Sequence, residues 1–558
     1  MRLLRTRRLG FIGQGQPVVI LVAIAAGFGM LLLGYDQGVM AGLIGSAGTP
    51  FSNTFKDPDE TTLGLMVAIY EIGCFAGAVF SFIWGETFSR RACMLCGVFV
   101  MVVGATLQTV AQNMDQLIAG RVITGLGNGL NFSAIPTWAS EISGHDERGK
   151  VAAYNGWLII WGVVIAYWVD YGCANYVNDM QFRFPIALQM LFGLIMAFMV
   201  VFLPESPRWL ISKGYDQEAR EVLEWITPKQ KDSTDAEHSA TIEACHQTII
   251  ATREMENSAE GEFSFKELLH GGKTQNLRRM ILCAGVMAVQ QLSGQVFHPL
   301  YCYSRGNPID NFYRINLLTY YISYVLQNSV GLSRQLALLI GGINGIEYLV
   351  ASMIPMWTIE RVGRRKLLLI SAIGQTVSMT VLSGAIWYVT MRPDGAANYA
   401  MGIVAVACFF LFNTFYAQGF LAIPFFYPAE ITTLRTRSKG VSISVMSNWI
   451  FTFLVVMITP VCTAKIGWRT YIIFAVLNFS FIPVIYFFFP ETAGLSLEAL
   501  DNVFDHPGIT RGVLSKQHRK AMLEMSKPEL NMANISAVKL DKQEIETVES
   551  EREETSRA

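Results

Sequence analysis

Gly85-Glu86-Thr87-Phe88-Ser89-Arg90-Arg91 in the first half of the chain and Glu360-Arg361-Val362-Gly363-Arg364-Arg365 in the second are two versions of one charged signature. Glu86 to Arg90 and Glu360 to Arg364 share a spacing of four. Two further echoes follow in the same order. Glu141 precedes Arg148 by seven residues, as Glu430 precedes Arg437, and Pro204-Glu205-Ser206 is matched by Pro490-Glu491-Thr492. Every copy sits at the end of a long apolar segment. A duplicated hydrophobic bundle with matching polar clamps predicts two equivalent halves that rock around a site between them.

The bulk composition agrees. The 558 residues are 52% hydrophobic and only 16% charged, with a mean hydropathy of +0.36. A soluble chain of this length carries more charge. The net charge of -1 offers no electrostatic case for nucleic acid. The nine cysteines are scattered, mostly inside apolar runs. Cys93 and Cys96 have the spacing of a metal pair but no second pair and no nearby His, so packing is the expected role and no cofactor or metal is implied.

Apolar stretches long enough to cross a bilayer start near residues 17, 62, 92, 114, 150 and 184, and again near 277, 333, 365, 398, 438 and 468. The predicted fold class is therefore an all-α membrane protein of twelve transmembrane helices in two six-helix bundles. The divisions are a basic N-terminal tail (1–16), a first bundle (17–203), a polar central loop with short helices (204–276), a second bundle (277–489) and a charged, aromatic-poor tail expected to be disordered (490–558). Arg5, Arg7 and Arg8, Arg90 and Arg91, Arg148 and Lys150, Arg361 to Lys366 and Arg435 to Lys439 fall on one side. The opposite loops, such as Asp57-Pro58-Asp59-Glu60, are poor in Lys and Arg. The positive-inside rule places both termini in the cytosol.

Five motifs in order carry a family resemblance. They are Gly85-Glu86…Arg90-Arg91, Pro204-Glu205-Ser206-Pro207-Arg208-Trp209-Leu210, Gln290-Gln291-Leu292-Ser293-Gly294, Glu360-Arg361-Val362-Gly363-Arg364-Arg365 and Pro490-Glu491-Thr492-Ala493-Gly494. Together, over about residues 17 to 505, the chain resembles the sugar porters of the major facilitator superfamily. Gly34-Tyr35-Asp36-Gln37-Gly38 and Tyr167-Trp168-Val169-Asp170-Tyr171-Gly172 are similar to the fungal branch of hexose and polyol carriers, including proton symporters of the glycerol type. The resemblance implies no enzymatic activity. It implies a monomeric plasma-membrane carrier whose partners are a sugar or polyol, protons and the lipid bilayer.

Three sets of residues become candidates. Glu86, Arg90, Arg91, Glu141, Arg148 and Glu205 in one half, with Glu360, Arg364, Glu430, Arg437 and Glu491 in the other, are expected to form a cytosolic gate of ion pairs. A network of such pairs can bias an equilibrium of a few kcal/mol, whereas a single exposed pair contributes only about 0–1 kcal/mol. The plainer reading is that these charges anchor loops. Asp36 lies about eight residues below the outer end of span one and Arg121 about seven below the outer end of span four, so the two can meet. The resemblance assigns this pair to proton coupling, in which Asp36 takes a proton and releases Arg121; the plainer reading is a permanent ion pair that packs two helices. Substrate binding is assigned by resemblance to Gln290, Gln291, Asn316 and Tyr320 of span seven, Phe425 of span ten and Trp449 of span eleven. Amides suit hydroxyls because each offers donors and an acceptor.

Two departures stand out. Sugar porters commonly carry Gln in span five where this chain has Gly156, and Trp in span ten where it has Phe420 and Phe425, with Leu421-Ala422 between them. The pocket is less polar than a glucose site, which leaves polyols and unusual sugars open. Residues 295–314 also separate Gly294 from Ile315-Asn316, which the family pattern joins. This stretch holds Pro299, Pro308, Arg305, Arg314, Asp310 and His298, and cannot continue a lipid-facing helix. It reads as a translated intron; the alternative is a genuine loop lining the cavity. A facilitative uniporter, an exporter of a specialised metabolite and a transporter-like sensor remain alternatives to the proton symporter.

Overall fold

The structure is a computed structural model. It describes residues 14–43, 50–56, 60–85, 87–143, 148–173, 176–227, 234–258, 265–269, 275–294, 334–392, 397–433, 436–493 and 504. The described elements are all α-helical. The first bundle comprises span one Gln16–Leu43, span two Glu60–Trp84, span three Arg90–Thr109, span four Met114–Ile142, span five Arg148–Cys173 and span six Met180–Phe202. The second comprises the described part of span seven Asn276–Leu292, span eight Arg334–Ala351, span nine Arg364–Met391, span ten in two pieces Asn398–Gly419 and Ile423–Ile431, span eleven Arg437–Ile466 and span twelve Arg469–Phe488. These starts fall within about four residues of those read from hydropathy.

Local chemistry sets the helix ends. Ser89 caps span three by accepting from the Ala92 N–H, and Asn113 caps span four by accepting from the Gln116 N–H. Large apolar side chains point outward, including Phe99, Phe198 and Phe479, each more than 60% exposed. That is the surface a bilayer covers. Inside lipid, helices associate by close packing rather than by hydrophobic expulsion, so small residues line the contacts. A Cβ at Gly73 would lie 2.4 Å from the Val122 carbonyl oxygen, and one at Gly129 would lie 2.2 Å from that of Cys74, so spans two and four touch backbone to backbone. Gly34 and Gly162 do the same for spans one and five.

The halves meet along span two with span eleven and along span five with span eight. Exchanging the halves maps spans two and eleven onto eight and five, so the two contacts are one contact repeated by a pseudo-two-fold.

In the central segment, the short helix Pro207–Ser212 lies where the sequence places one. It packs Leu210 and Ile211 against Ala219 and Val222 of Asp216–Ile226. A longer helix, Asp235–Ser258, joins them; its mixed charge pattern gave it no signal in the hydropathy reading. Of the segment 495–504, only Phe504 is described. It is buried, 4.1 Å from the Arg279 guanidinium. Glu86, Asn316, Tyr320 and the insert 295–314 lie outside the described residues, as do the side chains of Arg148 and Glu360.

Candidate functional site

Asp36 and Arg121 meet inside the first bundle, both fully buried, with Arg121 Nη1 3.4 Å from Asp36 Oδ1. Arg121 also donates to the Val67 carbonyl at 3.5 Å and lies 4.5 Å from the centre of the Tyr70 ring. Asn128, two helical turns along span four from Arg121, uses both hydrogens of one amide nitrogen. One goes to Asp36 Oδ2 at 2.7 Å and the other to the Tyr70 hydroxyl at 3.0 Å. The carboxylate is thus held by a cation on one oxygen and an amide on the other, which offsets the cost of its burial. The sequence reading identified Asp36 and Arg121 but not Tyr70, Glu71 or Asn128. The signal available for them was the same, a polar side chain inside an apolar run.

Next to this network is a cavity whose lining comes from both halves. The first half contributes Leu33, Gln37, Phe132 and Ile159, and the second contributes Gln290, Gln291, Tyr348, Tyr416, Phe425, Asn448, Trp449 and Thr452. Gln290 donates to the Phe420 carbonyl at 2.7 Å, and Gln291 donates to Asn448 Oδ1 at 2.6 Å. Phe132 lies edge-on to both Phe425 and Trp449, at 5.7 and 5.3 Å between ring centres. Trp449 is fully buried, and its indole N–H has no partner among the described residues. Of the residues expected at the substrate site, the structure brings together Gln290, Gln291, Phe425 and Trp449. Gln37 lies in the quoted Gly34–Gly38 motif but was not singled out there, and Asn448 and the two tyrosines were missed because no motif marks them. Gly156 leaves open space, since a Cβ there meets nothing within 4 Å.

The charged signatures form two matching constellations at one end of the bundles. In the first, Arg90 makes a two-pronged ion pair with Glu141, at 3.2 and 3.3 Å, and donates to the Gly85 carbonyl. The Glu205 carboxylate accepts the backbone N–H groups of Arg90 and Arg91 at 3.2 and 3.3 Å. In the second, Arg364 pairs with Glu430 at 3.0 Å, and Glu491 accepts the N–H groups of Arg364 and Arg365 at 2.8 and 3.2 Å. Each glutamate therefore sits on the positive N-terminal end of a span, three or nine, where a negative charge is favoured. Arg91 reaches back to the Val200 and Val201 carbonyls, and Arg365 to that of Tyr486. Burial pushes the Glu205 carboxyl above its usual range, against the opposing pull of the Ser206 N–H and Arg91.

Each of these pairs lies within one half. Arg90–Glu141–Glu205 ties spans three, four and six, and Arg364–Glu430–Glu491 ties nine, ten and twelve. The residues expected to form the gate are thus brought together bundle by bundle in these pairs, while Glu86 and the side chains of Arg148 and Glu360 lie outside the described residues. At the same end a bond does cross between the halves, where Lys439 Nζ of span eleven donates to the Phe82 carbonyl of span two at 2.8 Å.

Comparison with known proteins places this arrangement. The profile of the "Sugar (and other) transporter" family matches residues 21–303 and 308–504, with its break inside 295–314. The chain is 35% identical to the sugar transporter STL1 of Saccharomyces cerevisiae over 513 residues, covering 90% of this chain and 83% of that one. It is also 35% identical to the major facilitator superfamily transporter mfsA of Aspergillus fumigatus, covering 88% of this chain and 87% of that one. Among solved structures, the proton:xylose symporter XylE bound to 6-bromo-6-deoxy-D-glucose superposes with a TM-score of 0.68 at 22% identity, covering 87% of this chain and 99% of that one. That likeness establishes the major facilitator fold.

Proposed function

The chain belongs to the sugar transporter family of the major facilitator superfamily, and from that premise we propose that it carries a sugar or polyol across the plasma membrane by alternating access coupled to proton symport. The observation that carries this reading is the buried Asp36–Arg121 pair, joined through Asn128 and Tyr70 to the wall of a cavity lined by both halves. A charge at such depth is costly and marks a functional group by default. Protonation of Asp36 cancels its attraction for Arg121 and frees spans one and four to move. The uptake of protons by the named structural relative supports the same assignment.

Substrate hydroxyls are met by Gln290, Gln291, Gln37 and Asn448, with the indole N–H of Trp449 as a further donor, and the aromatic wall of Phe132, Phe425 and Trp449 takes the apolar face. Asn316 and Tyr320 join the set in a chain from which residues 295–314 are removed. The clamps Arg90–Glu141–Glu205 and Arg364–Glu430–Glu491 hold the ends of each bundle as rigid units, and the cytosolic face closes where Lys439 meets Phe82. Both termini lie in the cytosol, and the carrier works as a monomer.

The test is uptake of a labelled panel of hexoses, pentoses and polyols in carrier-deficient yeast, with and without a proton uncoupler. Uptake that rises at acidic external pH and falls with the uncoupler or with Asp36→Asn is expected. Uptake indifferent to both overturns symport and leaves a facilitator.

A further inference from the structure

Glu347 is a carboxyl inside span eight that neither the substrate site nor the charged clamps use. Its contact is with span ten, where Thr414 Oγ1 lies 2.5 Å from Glu347 Oε1. The same hydroxyl lies 3.0 Å from the Phe410 carbonyl oxygen, one turn back along its own helix. Glu347 Oε2 is buried with no hydrogen-bond partner among the described residues. Ile343 and Val350, one turn before and one turn after on the same face, are 45% and 59% exposed. The carboxyl therefore sits at the edge of a stripe that lipid covers.

The first half has no such acid. Glu347 precedes Glu360 by thirteen residues, as Gly73 precedes Glu86, and Thr414 precedes Glu430 by sixteen, as Gly125 precedes Glu141. Those two glycines meet, and a Cβ at Gly73 would lie 3.1 Å from the Gly125 Cα. At the equivalent crossing the second half places an acid and a hydroxyl instead.

Hydrogen counting sets the state of the acid. A threonine hydroxyl has one hydrogen. Against a carboxylate, that hydrogen faces two acceptors, Glu347 Oε1 and the Phe410 carbonyl, and one contact is left without a hydrogen. Charge also falls on the buried Oε2, which is costly. A proton on Oε1 removes both costs, since Glu347 then donates to Thr414 and Thr414 donates to Phe410. No charged side chain acts on Glu347 among the described residues. Spans five and ten pack on span eight. Span ten brings Thr414, the Tyr416 phenol and Gln418, which donates to the Ala351 carbonyl at 3.4 Å; its Glu430 pairs with Arg364. Span five lays Val164 and Trp168 against Gly345 and Gly342. Its Asp170 acts on Tyr35 of span one, and its Arg148 and Lys150 precede Val164 by fourteen residues or more.

We propose that Glu347 is a proton-binding site of the second half, separate from Asp36–Arg121, and that its acid form bonds span eight to span ten beside the substrate cavity. Tyr348, the next residue, and Tyr416, two beyond Thr414, both line that cavity, with ring centres 6.4 Å apart. The first piece of span ten ends at Gly419, five residues past Thr414, so the bond anchors span ten just before its break. Loss of the proton places a charge at the lipid edge and releases that anchor.

The inference does not depend on proton symport, and its test needs no substrate. Infrared difference spectroscopy compares purified full-length variants at neutral pH. A protonated carboxyl gives a C=O stretching band shared by neither a carboxylate nor an amide. Wild type minus Glu347→Gln is expected to show that band lost. Thr414→Val removes the acceptor of the acid's hydrogen and is expected to move the band to higher wavenumber, whereas Thr414→Ser keeps the hydroxyl and leaves the band in place. Thermal unfolding against pH gives a second reading. The folded protein holds a proton that the unfolded chain gives up, so this contribution is present in acid and lost as pH rises. Wild type is expected to lose Tm toward alkaline pH more steeply than Glu347→Gln, whose amide keeps both the donor and neutrality. No band lost in Glu347→Gln means an ionised carboxyl and overturns the proposal. A band lost there but unmoved by Thr414→Val overturns the bond between the spans. Equal pH dependence of Tm in wild type and Glu347→Gln overturns release of the anchor on proton loss.

Discussion

The Tyr70 ring lies edge-on to that of Trp449, 6.5 Å between centres, while the Tyr70 hydroxyl accepts from the amide of Asn128. One side chain thereby touches both the buried ion pair and the cavity wall, and it does so across the two halves, since Tyr70 is on span two and Trp449 on span eleven. Tyr70→Phe keeps the ring contact and deletes the hydroxyl. A neutral hydrogen bond contributes about 1 kcal/mol, so about a fivefold change in the coupled equilibrium is expected. It should appear as altered pH dependence of uptake with little change in thermal stability. A variant that melts well below wild type, with its pH profile intact, would show the hydroxyl to be structural only.

Removing one partner of the buried pair costs more than removing both. Arg121→Leu strands the Asp36 carboxylate, and breaking a buried pair from one side costs about 3–5 kcal/mol. Arg121→Leu is expected to lower the yield of folded protein and its Tm sharply, and adding Asp36→Asn is expected to recover much of the loss. Fluorescence-detected size-exclusion chromatography across a temperature series reads both. A double variant no better than Arg121→Leu alone would place the cost elsewhere.

The span boundaries and the buried pair were legible in the sequence for physical reasons. Twenty apolar residues leave few options in a bilayer, and Asp36 and Arg121 are conspicuous because charge there is costly. The clamp partners were legible through duplication, but their pairing was not. Glu205 is far in sequence from the Arg90 and Arg91 N–H groups it accepts, and no linear pattern says that a glutamate after span six caps span three. Asn448 was hidden for a related reason, since an amide next to Trp449 reads as helix glue until Gln291 is seen to reach it.

Lys439 offers the charged end a bond between halves. A hydrogen bond from a charged donor contributes about 1.5–3 kcal/mol, enough to shift a two-state population about tenfold or more. Lys439→Ala is expected to populate states open at that end. Distance measurements between spin labels at the ends of spans two and eleven should broaden toward longer separations. An unchanged distribution would assign closure to the packing of the spans alone.

Gly156 is a place where a side chain has room. Glutamine adds an amide able to meet a hydroxyl, and a hydrogen bond to a ligand contributes about 1 kcal/mol. Gly156→Gln is expected to favour hexoses over smaller polyols by about fivefold in the ratio of uptake rates, with expression unchanged. A ratio that does not move would place residue 156 outside the substrate's reach.

Residues 295–314 sit at the point where span seven should continue. Up to Gly294 the helix is well seated: Ser293 presents its carbonyl to Asn478 of span twelve at 2.8 Å, and Gly294 takes a positive φ of 98° where an added Cβ would lie 2.9 Å from the Phe474 ring. The next twenty residues bring two prolines, two arginines and an aspartate into what is otherwise a bilayer-spanning segment. Such a sequence cannot satisfy its backbone within a helix facing lipid. It also pushes Asn316 and Tyr320 about twenty residues along the chain from Gln290 and Gln291, the amides with which they are expected to share a substrate. Deleting 295–314 joins Gly294 to Ile315 and restores a span of ordinary length, so the shortened chain is expected to reach the plasma membrane and transport, while the full chain does so poorly. Sequencing the transcript across this point is expected to show the sixty corresponding nucleotides, three per residue, spliced out of the major mRNA. A major mRNA that retains them, together with uptake by the full chain equal to that of the shortened one, would make the segment a genuine loop of the carrier.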